Sequence, residues 1–266
     1  MGRVCHRQAT LFGVHDVVTR LRAAGCVFAE DEARLLIADA ATPARLEELI
    51  TRRIAGEPLE HLLGWVEFLG RRMIVAPGVF VPRRRTETLA RQAIELAEPG
   101  GVVVDMCCGC GAVGAAVAAS VDVELHAADI DPVAVGCAER NLAGLGHAHV
   151  GDLFEPLPEH LRGRVDVVVA NVPYVPTEEI AMMPPEARDH EPKAALDGGT
   201  DGLDVARRVI AGATDWLADG GHVLFETSVH QVPAAVESLA RHGFGARVVS
   251  DEDVGATVVI GVGADG

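Results

Sequence analysis

Four consecutive residues, Asn171-Val172-Pro173-Tyr174, carry the groups needed to hold a planar amino group. They follow residues 166–170, one aspartate and four apolar residues, a pattern that predicts a buried strand. Because ligands bind at the carboxyl ends of strands in open α/β sheets, we expect a ligand site here. The Asn171 side-chain oxygen and the Val172 carbonyl can accept the two hydrogens of an –NH2 group, and Tyr174, the only tyrosine, offers a flat face. An Asn-x-Pro sequence is also common in turns that bind nothing.

A glycine-rich segment joins a predicted strand to a predicted helix earlier in the chain. Gly109, Gly111 and Gly114 fit the spacing G-x-G-x-x-G, in which the backbone approaches a bound dinucleotide closely. Asp129 follows Gly109 by 20 residues, at a position where a carboxylate accepts hydrogen bonds from ribose hydroxyls. This spacing alone is compatible with either NAD or S-adenosylmethionine.

Asp105, at the strand end before the glycines, favours S-adenosylmethionine. A carboxylate there attracts the ammonium and sulfonium groups of that cofactor, whereas it would repel a pyrophosphate. Asp152 follows another short segment and can accept from an adenine amino group, with Leu153 and Phe154 packing nearby. Either Asp105 or Asp129 alone could simply cap a strand, but both in register with the glycines favour the cofactor.

The same loop contains Cys107, Cys108 and Cys110, and a C-x-x-C spacing occurs in zinc and redox sites. A fourth ligand is not evident nearby in the sequence, so we interpret these residues as small side chains packed against a ligand and predict no metal. His147 and His149 lack the i, i+4 spacing of helical metal ligands, and we expect both in an exposed loop.

The composition restricts the class of protein. A chain of 266 residues that is 49% hydrophobic can bury a substantial core in one large or two smaller domains. Its net charge of −16 argues against a nucleic-acid-binding surface. Residues 1–10 do not resemble a signal peptide, and no uncharged apolar run is long enough to span a bilayer. The six cysteines then favour a reducing, cytoplasmic location without a membrane partner.

Two regions precede the glycine loop. Residues 14–63 predict helices, one of which has Thr42 as its N-cap and Pro43 at its first position. Residues 66–75 resemble a hairpin, and residues 86–97 predict a further helix.

From residue 102 onward, strand and helix patterns alternate. Strands are predicted at 102–105, 124–129, 165–170, 222–227 and 257–262. Helices are predicted at 112–119, 132–145, 201–218 and 232–242, with a turn at 219–221. This alternation predicts a mostly parallel sheet with helices on both faces.

The glycine loop, Asp129, Asp152 and the segment 171–174 together resemble the class I methyltransferases that modify planar amides and exocyclic amines. Three further segments narrow the resemblance. They are residues 56–64 (GEPLEHLLG), 82–89 (PRRRTETL) and 191–203 (EPKAALDGGTDGL). With them, residues from about 50 to 262 are similar to the protein-(glutamine-N5) methyltransferases, the HemK/PrmC family.

The resemblance implies an α/β fold, that of a class I S-adenosylmethionine-dependent methyltransferase, with a Rossmann-like, mostly parallel seven-stranded sheet. It implies a helical substrate-docking module at residues 1–64, a hairpin linker at 65–82 and the methyltransferase domain at 83–266. The implied reaction transfers a methyl group from S-adenosylmethionine to the amide nitrogen of a protein glutamine, by default the Gly-Gly-Gln glutamine of a peptide chain release factor. A monomer is expected.

The resemblance also implies roles for individual positions. The implied catalytic residues are Asn171, Val172, Pro173 and Tyr174. The implied cofactor-binding residues are Asp105, Cys107, Gly109, Gly111, Asp129, Ile130, Asp152, Leu153, Phe154 and Asn171. The implied substrate-binding residues are Arg83, Thr86, Glu87, Asn171, Tyr174 and Glu191.

Departures from the family pattern lie on the substrate side. The family's N-P-P-Y has Val172 at its second position, its P-R-P has Arg84 at the third, and the helical module is shorter than in the family. The nucleotide-side pattern is intact, so methyl transfer is expected while the acceptor stays open. Alternatives are a ribosomal-protein glutamine, a small amide metabolite, an adenine amino group, or a non-catalytic S-adenosylmethionine-binding protein. For residues 83–85, a solvated loop is the alternative to substrate contact.

Overall fold

Apolar residues at helical spacing build a small helical unit in the first part of the chain. The structure, a computed structural model, describes residues 13–263. Its first four helices are α1 (Val14–Ala23), α2 (Ala29–Asp39), α3 (Pro43–Ile54) and α4 (Leu59–Leu63). The later helix α8 (Pro185–His190) belongs to the same compact unit. Leu21, Leu36 and Leu49 are fully buried in its core.

Polar contacts hold the helices of this unit at their ends. Thr42 Oγ1 accepts a hydrogen bond from the backbone nitrogen of Arg45 at 3.2 Å, which confirms the predicted N-cap of α3. Arg53 on α3 pairs with Glu32 on α2 at 2.6 Å and with Glu186 on α8 at 3.2 Å. Because Arg53 and Glu32 are nine-tenths buried, loss of either partner would leave an uncompensated buried charge.

The predicted hairpin opens the second compact unit, which comprises residues 65–183 and 191–263. Strands β1 (Trp65–Phe68) and β2 (Arg71–Ile74) pair antiparallel, with Val66 opposite Met73. Both strands begin one residue earlier than the sequence pattern indicated. The intervening Leu69 and Gly70 have φ of 47° and 73°, the backbone conformation of a tight turn.

A seven-stranded sheet lies between the helices of this unit. Its strands are β3 (Val102–Met106), β4 (Glu124–Asp129), β5 (His147–Val150), β6 (Val165–Ala170), β7 (Leu217–Glu226), β8 (Gly245–Asp251) and β9 (Ala256–Val262). Their order across the sheet is β5-β4-β3-β6-β7-β9-β8. The first five strands in that order run parallel, whereas β9 is antiparallel to β7 and to β8. This mostly parallel, seven-stranded sheet confirms the expected fold class.

Helices cover both faces of the sheet. They are α5 (Thr86–Leu96), α6 (Ala112–Ser120), α7 (Pro132–Asn141), α9 (Asp204–Trp216) and α10 (Val232–Arg241). Short 3₁₀ helices occupy Glu159–Leu161, Thr177–Met182, Lys193–Ala195 and Val229–Gln231. One apolar core contains residues of α5, α6 and α7, and the other contains residues of α9 and α10. Burial on both faces explains the near-continuous apolar runs of β3 and β6. Between residues 13 and 263, no helix has the length and apolar character needed to cross a membrane.

Three features of the sheet differ from the sequence-based expectation. His147 and His149 lie on strand β5, not in an exposed loop, because β5 pairs with β4 along its whole length. Strand β8 was not predicted, since an exposed edge strand lacks the apolar signal of a buried one. The predicted turn at 219–221 lies inside β7, which starts at Leu217 opposite Val165.

Two helices are shorter than predicted because polar groups end them. Helix α7 ends at Asn141, whose side-chain nitrogen donates to the carbonyls of Ile74 and Cys110 at 2.9 and 2.8 Å. Helix α9 begins at Asp204, three residues later than predicted. The carbonyl of Asp201 accepts a hydrogen bond from the side chain of Gln231 and not from a helical backbone nitrogen.

The strand order reverses between β3 and β6. The chain passes from β3 to β4 on one side and later returns to β6 on the other side. Met106 at the end of β3 is opposite Ala170 at the end of β6, so Asp105 and Asn171 lie at the same edge of the sheet. Open α/β sheets bind ligands in the crevice that forms at such a point.

Histidines of β4 and β5 form a cluster with one carboxylate. Nδ1 of the buried His126 lies 3.0 Å from Nε2 of His149, and its ring centroid lies 5.4 Å from that of His147. Glu124 Oε1 lies 3.3 Å from His126 Nε2 and 3.8 Å from His160 Nε2. Burial lowers the pKa of His126, an effect that Glu124 offsets only in part, and burial also lowers the pKa of His149.

We expect the protein to lose stability as the pH falls below about 6.5. The unfolded chain then binds protons that the folded imidazoles of His126 and His149 still exclude, so their contribution is complete above that pH and declines below it. The His149→Gln variant should show a smaller difference in urea midpoint between about pH 5.5 and pH 8 than the wild type, and the exposed control His15→Gln should not. Equal pH dependence in wild type and His149→Gln would contradict this expectation.

Candidate active site

The glycine-rich segment forms a tight loop between β3 and α6. Cys107, Gly109 and Gly111 have φ of 54°, 55° and 77°. A Cβ at Gly111 would lie 3.1 Å from the Cβ of Ala138 on α7, so glycine permits both the left-handed backbone and the close packing on α7. Cys107 and Gly109 line the cavity beside the loop, whereas Gly111 does not. Gly111 shapes the loop and is not among the residues that line the cavity.

Asp105 is fully buried at the end of β3, beside this loop. Its Oδ2 accepts from the backbone nitrogen of Gly114 at 2.8 Å, and a Cβ on Gly114 would lie 3.0 Å from that oxygen. Its Oδ1 has no hydrogen-bond partner within the protein. Burial raises the pKa of Asp105 to about 7. The negative charge of Asp129 contributes to this rise in pKa, whereas the hydrogen bond from Gly114 opposes it. A cationic ligand group would both pair with the free oxygen and stabilise the carboxylate.

Asp129 at the end of β4 is held by two backbone groups. Its Oδ2 accepts from the nitrogen of Gly109 at 2.8 Å, and its Oδ1 accepts from the nitrogen of Asp131 at 2.9 Å. Burial raises the pKa of this carboxyl. Asp129 and the exposed Ile130 both line the cavity, where the carboxylate can accept from a donor such as a hydroxyl.

Asp152 and Leu153 line the cavity, but Phe154 does not. The Phe154 ring stacks on Trp216 with 5.7 Å between the ring centroids and is buried in the core beneath α9. Phe154 thus lies in the core and not in the cavity lining. Asp152 Oδ2 accepts from Nη2 of Arg208 at 2.7 Å. Arg208 also lines the cavity, although no sequence pattern marks it.

The segment 171–174 leaves β6 at the same edge of the sheet. Asn171, Val172, Pro173 and Tyr174 all line the cavity. The side chain of Val172 is buried in the core with 2% of its surface exposed, which holds its carbonyl in a defined position. The backbone nitrogen of Val175 donates to Leu196 at 3.0 Å, which holds the end of the segment.

Tyr174 connects this segment to a buried carboxylate. Its hydroxyl donates to Glu226 Oε1 at 2.8 Å. Burial raises the pKa of the phenol, and the negative charge of Glu226 raises it further. Arg85 Nε donates to the same oxygen at 2.8 Å. The carbonyl of Tyr174 accepts from Nε2 of Gln231 at 2.8 Å. Both the ring and the backbone of Tyr174 are thus fixed.

Two of the residues expected to bind substrate, Glu87 and Glu191, lie outside the cavity. Arg83 lines the cavity, and its Nη2 donates to both oxygens of Glu191 at 2.6 Å. Glu191 is buried and does not line the cavity, so it orients Arg83. Glu87 also lies outside the cavity, where it accepts from the nitrogen of Leu69 at 3.3 Å and from Arg91 at 3.0 Å. Thr86 does line the cavity.

Most of these groups line one cavity of about 370 Å³. The residues selected from sequence that line it are Arg83, Thr86, Asp105, Cys107, Gly109, Asp129, Ile130, Asp152, Leu153, Asn171, Val172, Pro173 and Tyr174. Those outside it are Glu87, Gly111, Phe154 and Glu191. Arg85, Arg208 and Glu226 line it without having been selected. A sequence signal existed for Glu226, a charge directly after the apolar run 223–225 at a strand end.

Burial disfavours the thiolate form of the loop cysteines. It raises the pKa of Cys107, Cys108 and Cys110, to about 12 for Cys110. Protonated thiols are weak nucleophiles. In the part of the chain that the structure describes, no three His, Cys, Asp or Glu side chains are arranged to hold a metal ion.

The sheet order, the glycine loop and the two strand-end sites define a class I methyltransferase. Solved methyltransferases share the fold. A methyltransferase from Pyrococcus furiosus aligns with a TM-score of 0.56 at 16% identity, covering 80% of this chain and 97% of its own. The E. cuniculi Mtq2–Trm112 complex, which methylates the translation termination factor eRF1, aligns with a TM-score of 0.51 at 20% identity, covering 71% and 99%.

Sequence comparison identifies the family. Residues 72–184 match the model of the methyltransferase small domain. The release factor glutamine methyltransferase of Geobacter sulfurreducens is 35% identical over 80% of this chain and 75% of its own, and that of Streptomyces coelicolor is 39% identical over 74% and 73%. The chain therefore belongs to the release factor glutamine methyltransferase family. A 4-amino-L-phenylalanine/4-methylamino-L-phenylalanine methyltransferase of Streptomyces pristinaespiralis is also 36% identical, over 75% of this chain and 70% of its own.

Proposed function

We propose that this enzyme transfers a methyl group from S-adenosylmethionine to the side-chain amide nitrogen of the Gly-Gly-Gln glutamine in a peptide chain release factor. The observation that carries the proposal is the shared cavity edge, with Asp105 at the end of β3 and Asn171 directly after β6 on the neighbouring strand. This arrangement supports a cationic cofactor beside a planar acceptor.

The cofactor end of the cavity fits S-adenosylmethionine. The unpaired Oδ1 of Asp105 suits an ammonium group, and Asp129, fixed by two backbone nitrogens, suits the ribose hydroxyls. Asp152 has one oxygen on Arg208 and another that can accept from an adenine amino group. When bound, this cofactor supplies a methyl group made electrophilic by a sulfonium.

At the acceptor end, correct positioning of the acceptor nitrogen matters more for the reaction than a strong general base. An amide nitrogen is a weak nucleophile because its lone pair is delocalised. The Asn171 side-chain oxygen and the Val172 carbonyl would accept its two hydrogens, which aligns the lone pair and stabilises the developing positive charge. The ring of Tyr174, fixed through its hydroxyl, would pack on the amide plane.

Replacement of the family's proline by Val172 is compatible with this role. The buried side chain of Val172 anchors the backbone in the core, and the following Pro173 restricts residue 172 to an extended conformation. Packing of the Val172 side chain therefore holds the carbonyl acceptor in place, a role that the proline ring has in the family pattern.

We further propose that the protein substrate docks on the helical unit. Val27 and Phe28 of that unit are 80% and 69% exposed, as expected for apolar side chains that a partner covers.

A methyl-transfer assay tests the proposed function. The protein is incubated with labelled S-adenosylmethionine and the release factors of the same cell, and peptides are read by mass spectrometry, with Asn171→Ala as the inactive control. One methyl group on the Gly-Gly-Gln glutamine is expected. Cofactor binding without methylation of any release factor would contradict the assigned substrate.

A second candidate acceptor is a free aromatic amine. The Streptomyces pristinaespiralis relative acts on 4-amino-L-phenylalanine and is as similar to this chain as the release factor enzymes are. An aniline nitrogen is also planar and carries two hydrogens, so the same acceptors suit it. Including 4-amino-L-phenylalanine as a parallel acceptor in the assay separates the two candidates.

The Asp129→Ala variant should bind S-adenosylmethionine about tenfold more weakly or worse, because the ribose hydroxyls lose their charged acceptor. Titration calorimetry with S-adenosylhomocysteine measures this directly. The exposed Asp215→Asn variant on α9 is the matched control and should bind like the wild type. Unchanged affinity in Asp129→Ala would remove Asp129 from the cofactor site.

A further inference from the structure

Two buried side-chain oxygens between residues 13 and 263 lack a hydrogen-bond partner within the protein. They are Oδ1 of Asp105 and Oε2 of Glu226, and both carboxylates line the same cavity. A buried polar atom left unpaired typically destabilises a fold by about 1–3 kcal/mol, and more when it is charged. Buried unpaired atoms are rare in native proteins, so each of these oxygens needs an explanation. The proposed function accounts for Asp105 and leaves Glu226 unexplained.

Glu226 lies at the end of β7, next to β6 and its acceptor segment. Only 1% of its surface is exposed. Its Oε1 accepts both from Arg85 Nε and from the Tyr174 hydroxyl, each at 2.8 Å. Oε1 is thus saturated by the protein, whereas Oε2 on the same carboxylate is not. If Glu226 served only to hold Tyr174, one hydrogen-bonding oxygen would be enough, and the second would be a net cost to stability.

The position of Glu226 assigns it to the acceptor end. Its hydrogen bond to Tyr174 links it to the residue whose ring is proposed to pack on the acceptor plane. Asp105, on β3, lies two strands away in the sheet order β3-β6-β7. The other carboxylate near the acceptor end, Glu191, is engaged by Arg83 and by the backbone nitrogen of Val81 at 3.1 Å. Glu226 is therefore the carboxylate at this end with an oxygen that the protein leaves unpaired.

We propose that Glu226 Oε2 binds the α-nitrogen N–H of the amino-acid unit that receives the methyl group. This inference rests on the proposed function. A glutamine residue has two kinds of donor, the side-chain amide that reacts and the backbone N–H. With the side-chain amide on Asn171 and Val172, the backbone N–H is the donor left for Oε2. A free amino acid offers the same donor as its α-ammonium, so one subsite serves both acceptor classes.

Paired acceptors that differ only in this donor test the proposal. The first pair is a Gly-Gly-Gln peptide and the depsipeptide in which an ester oxygen replaces the glutamine backbone N–H. The second pair is 4-amino-L-phenylalanine and 3-(4-aminophenyl)propanoate, which lacks the α-nitrogen. Each is assayed for kcat/KM with wild type, Glu226→Gln and the exposed control Glu237→Gln on α10. Glu226→Gln keeps an oxygen for Tyr174 and Arg85 but replaces the free oxygen by an NH2 group.

The wild type and Glu237→Gln should prefer the donor-bearing member by about 10- to 100-fold, the range expected for a hydrogen bond to a charged group. In Glu226→Gln the ratio of kcat/KM between the two members should fall to near one. This loss should come from a higher KM for the donor-bearing member more than from a lower kcat. The pair that shows the preference identifies whether a peptide N–H or a free ammonium is bound. A purely structural role for Glu226 would slow both members equally and keep their ratio, and that result would overturn the proposal.

Failure of the proposed function can be told apart from failure of this inference. If the wild type methylates neither acceptor pair, the proposed function fails, and calorimetric binding of the same pairs to the S-adenosylhomocysteine-loaded protein tests Glu226 instead. Equal affinity of the wild type for both members of each pair would overturn the role of Glu226, whatever the reaction.

Discussion

Replacement of Asn171 by alanine is expected to reduce kcat by about 100-fold or more, equivalent to about 3 kcal/mol in the barrier, the typical effect of removing one oriented group that stabilises developing charge. The reason is that the acceptor nitrogen loses one of its two hydrogen-bond acceptors at the moment when its positive charge develops. Affinity for S-adenosylhomocysteine should change little, since Asp105, Asp129 and Asp152 remain. Single-turnover methyl transfer and calorimetry measure the two effects separately.

The other asparagine of the chain, Asn141, provides the structural contrast. Its amide bridges β2 and the glycine loop, and its Oδ1 accepts from the nitrogen of Ile74 at 2.8 Å. Asn141→Ala should therefore lower Tm, whereas Asn171→Ala should leave Tm unchanged. Wild-type turnover in Asn171→Ala, or a matching loss of Tm, would show that Asn171 does not act on the acceptor.

Substitution of Asp105 by asparagine is expected to weaken cofactor binding by about 10- to 100-fold, the range for a lost hydrogen bond to a charged group. The same variant should be more stable than the wild type without cofactor at about pH 8. The pKa of Asp105 in the folded protein, about 7, lies above its ordinary 3.8, so the folded state binds more protons between these values. The contribution of Asp105 to stability is therefore present below pH 3.8 and lost as the pH rises through 7. Asparagine does not ionise and avoids that loss.

The pH dependence of binding provides the check. Wild-type affinity for S-adenosylhomocysteine should rise several-fold between about pH 6 and pH 7.5 as Asp105 ionises, and this rise should be absent in Asp105→Asn. Asp215→Asn, an exposed carboxylate on α9, should behave like the wild type in both Tm and affinity. A less stable Asp105→Asn that binds the cofactor normally would make Asp105 a structural residue.

These expectations share a physical basis. A carboxylate that is buried with an unpaired oxygen raises the free energy of the empty protein, and a donor on the ligand recovers that free energy on binding. Asp105 and Glu226 each have one oxygen paired to the protein and one not. In our proposal Asp105 acts in this way at the cofactor end and Glu226 at the acceptor end, so that binding of both ligands would relieve an unfavourable state in the protein itself.

Much of the fold and the cofactor site could be read from local sequence. The buried runs of β3 and β6, the glycines after β3, and the aspartates near the ends of β3 and β4 are each defined by a short stretch of sequence. Strand ends of a parallel sheet meet at one edge, so Asp105, Asp129 and Asn171 could be placed together without coordinates. The edge strand β8 could not, because its partner β9 supplies backbone hydrogen bonds to a segment with little apolar signal.

Tertiary structure alone decided which side chains face the cavity. Phe154 follows Leu153 directly, yet Leu153 lines the cavity whereas Phe154 stacks on Trp216 in the core. The pairing of Glu226 with Arg85 joins residues 141 positions apart, and no local pattern encodes such a contact. Local sequence determines strands, turns and the groups at their ends, because these depend on near neighbours. Pairing and burial of individual polar atoms depend on where distant segments meet, and the unpaired oxygen of Glu226, on which the proposed subsite rests, is visible only in the tertiary structure.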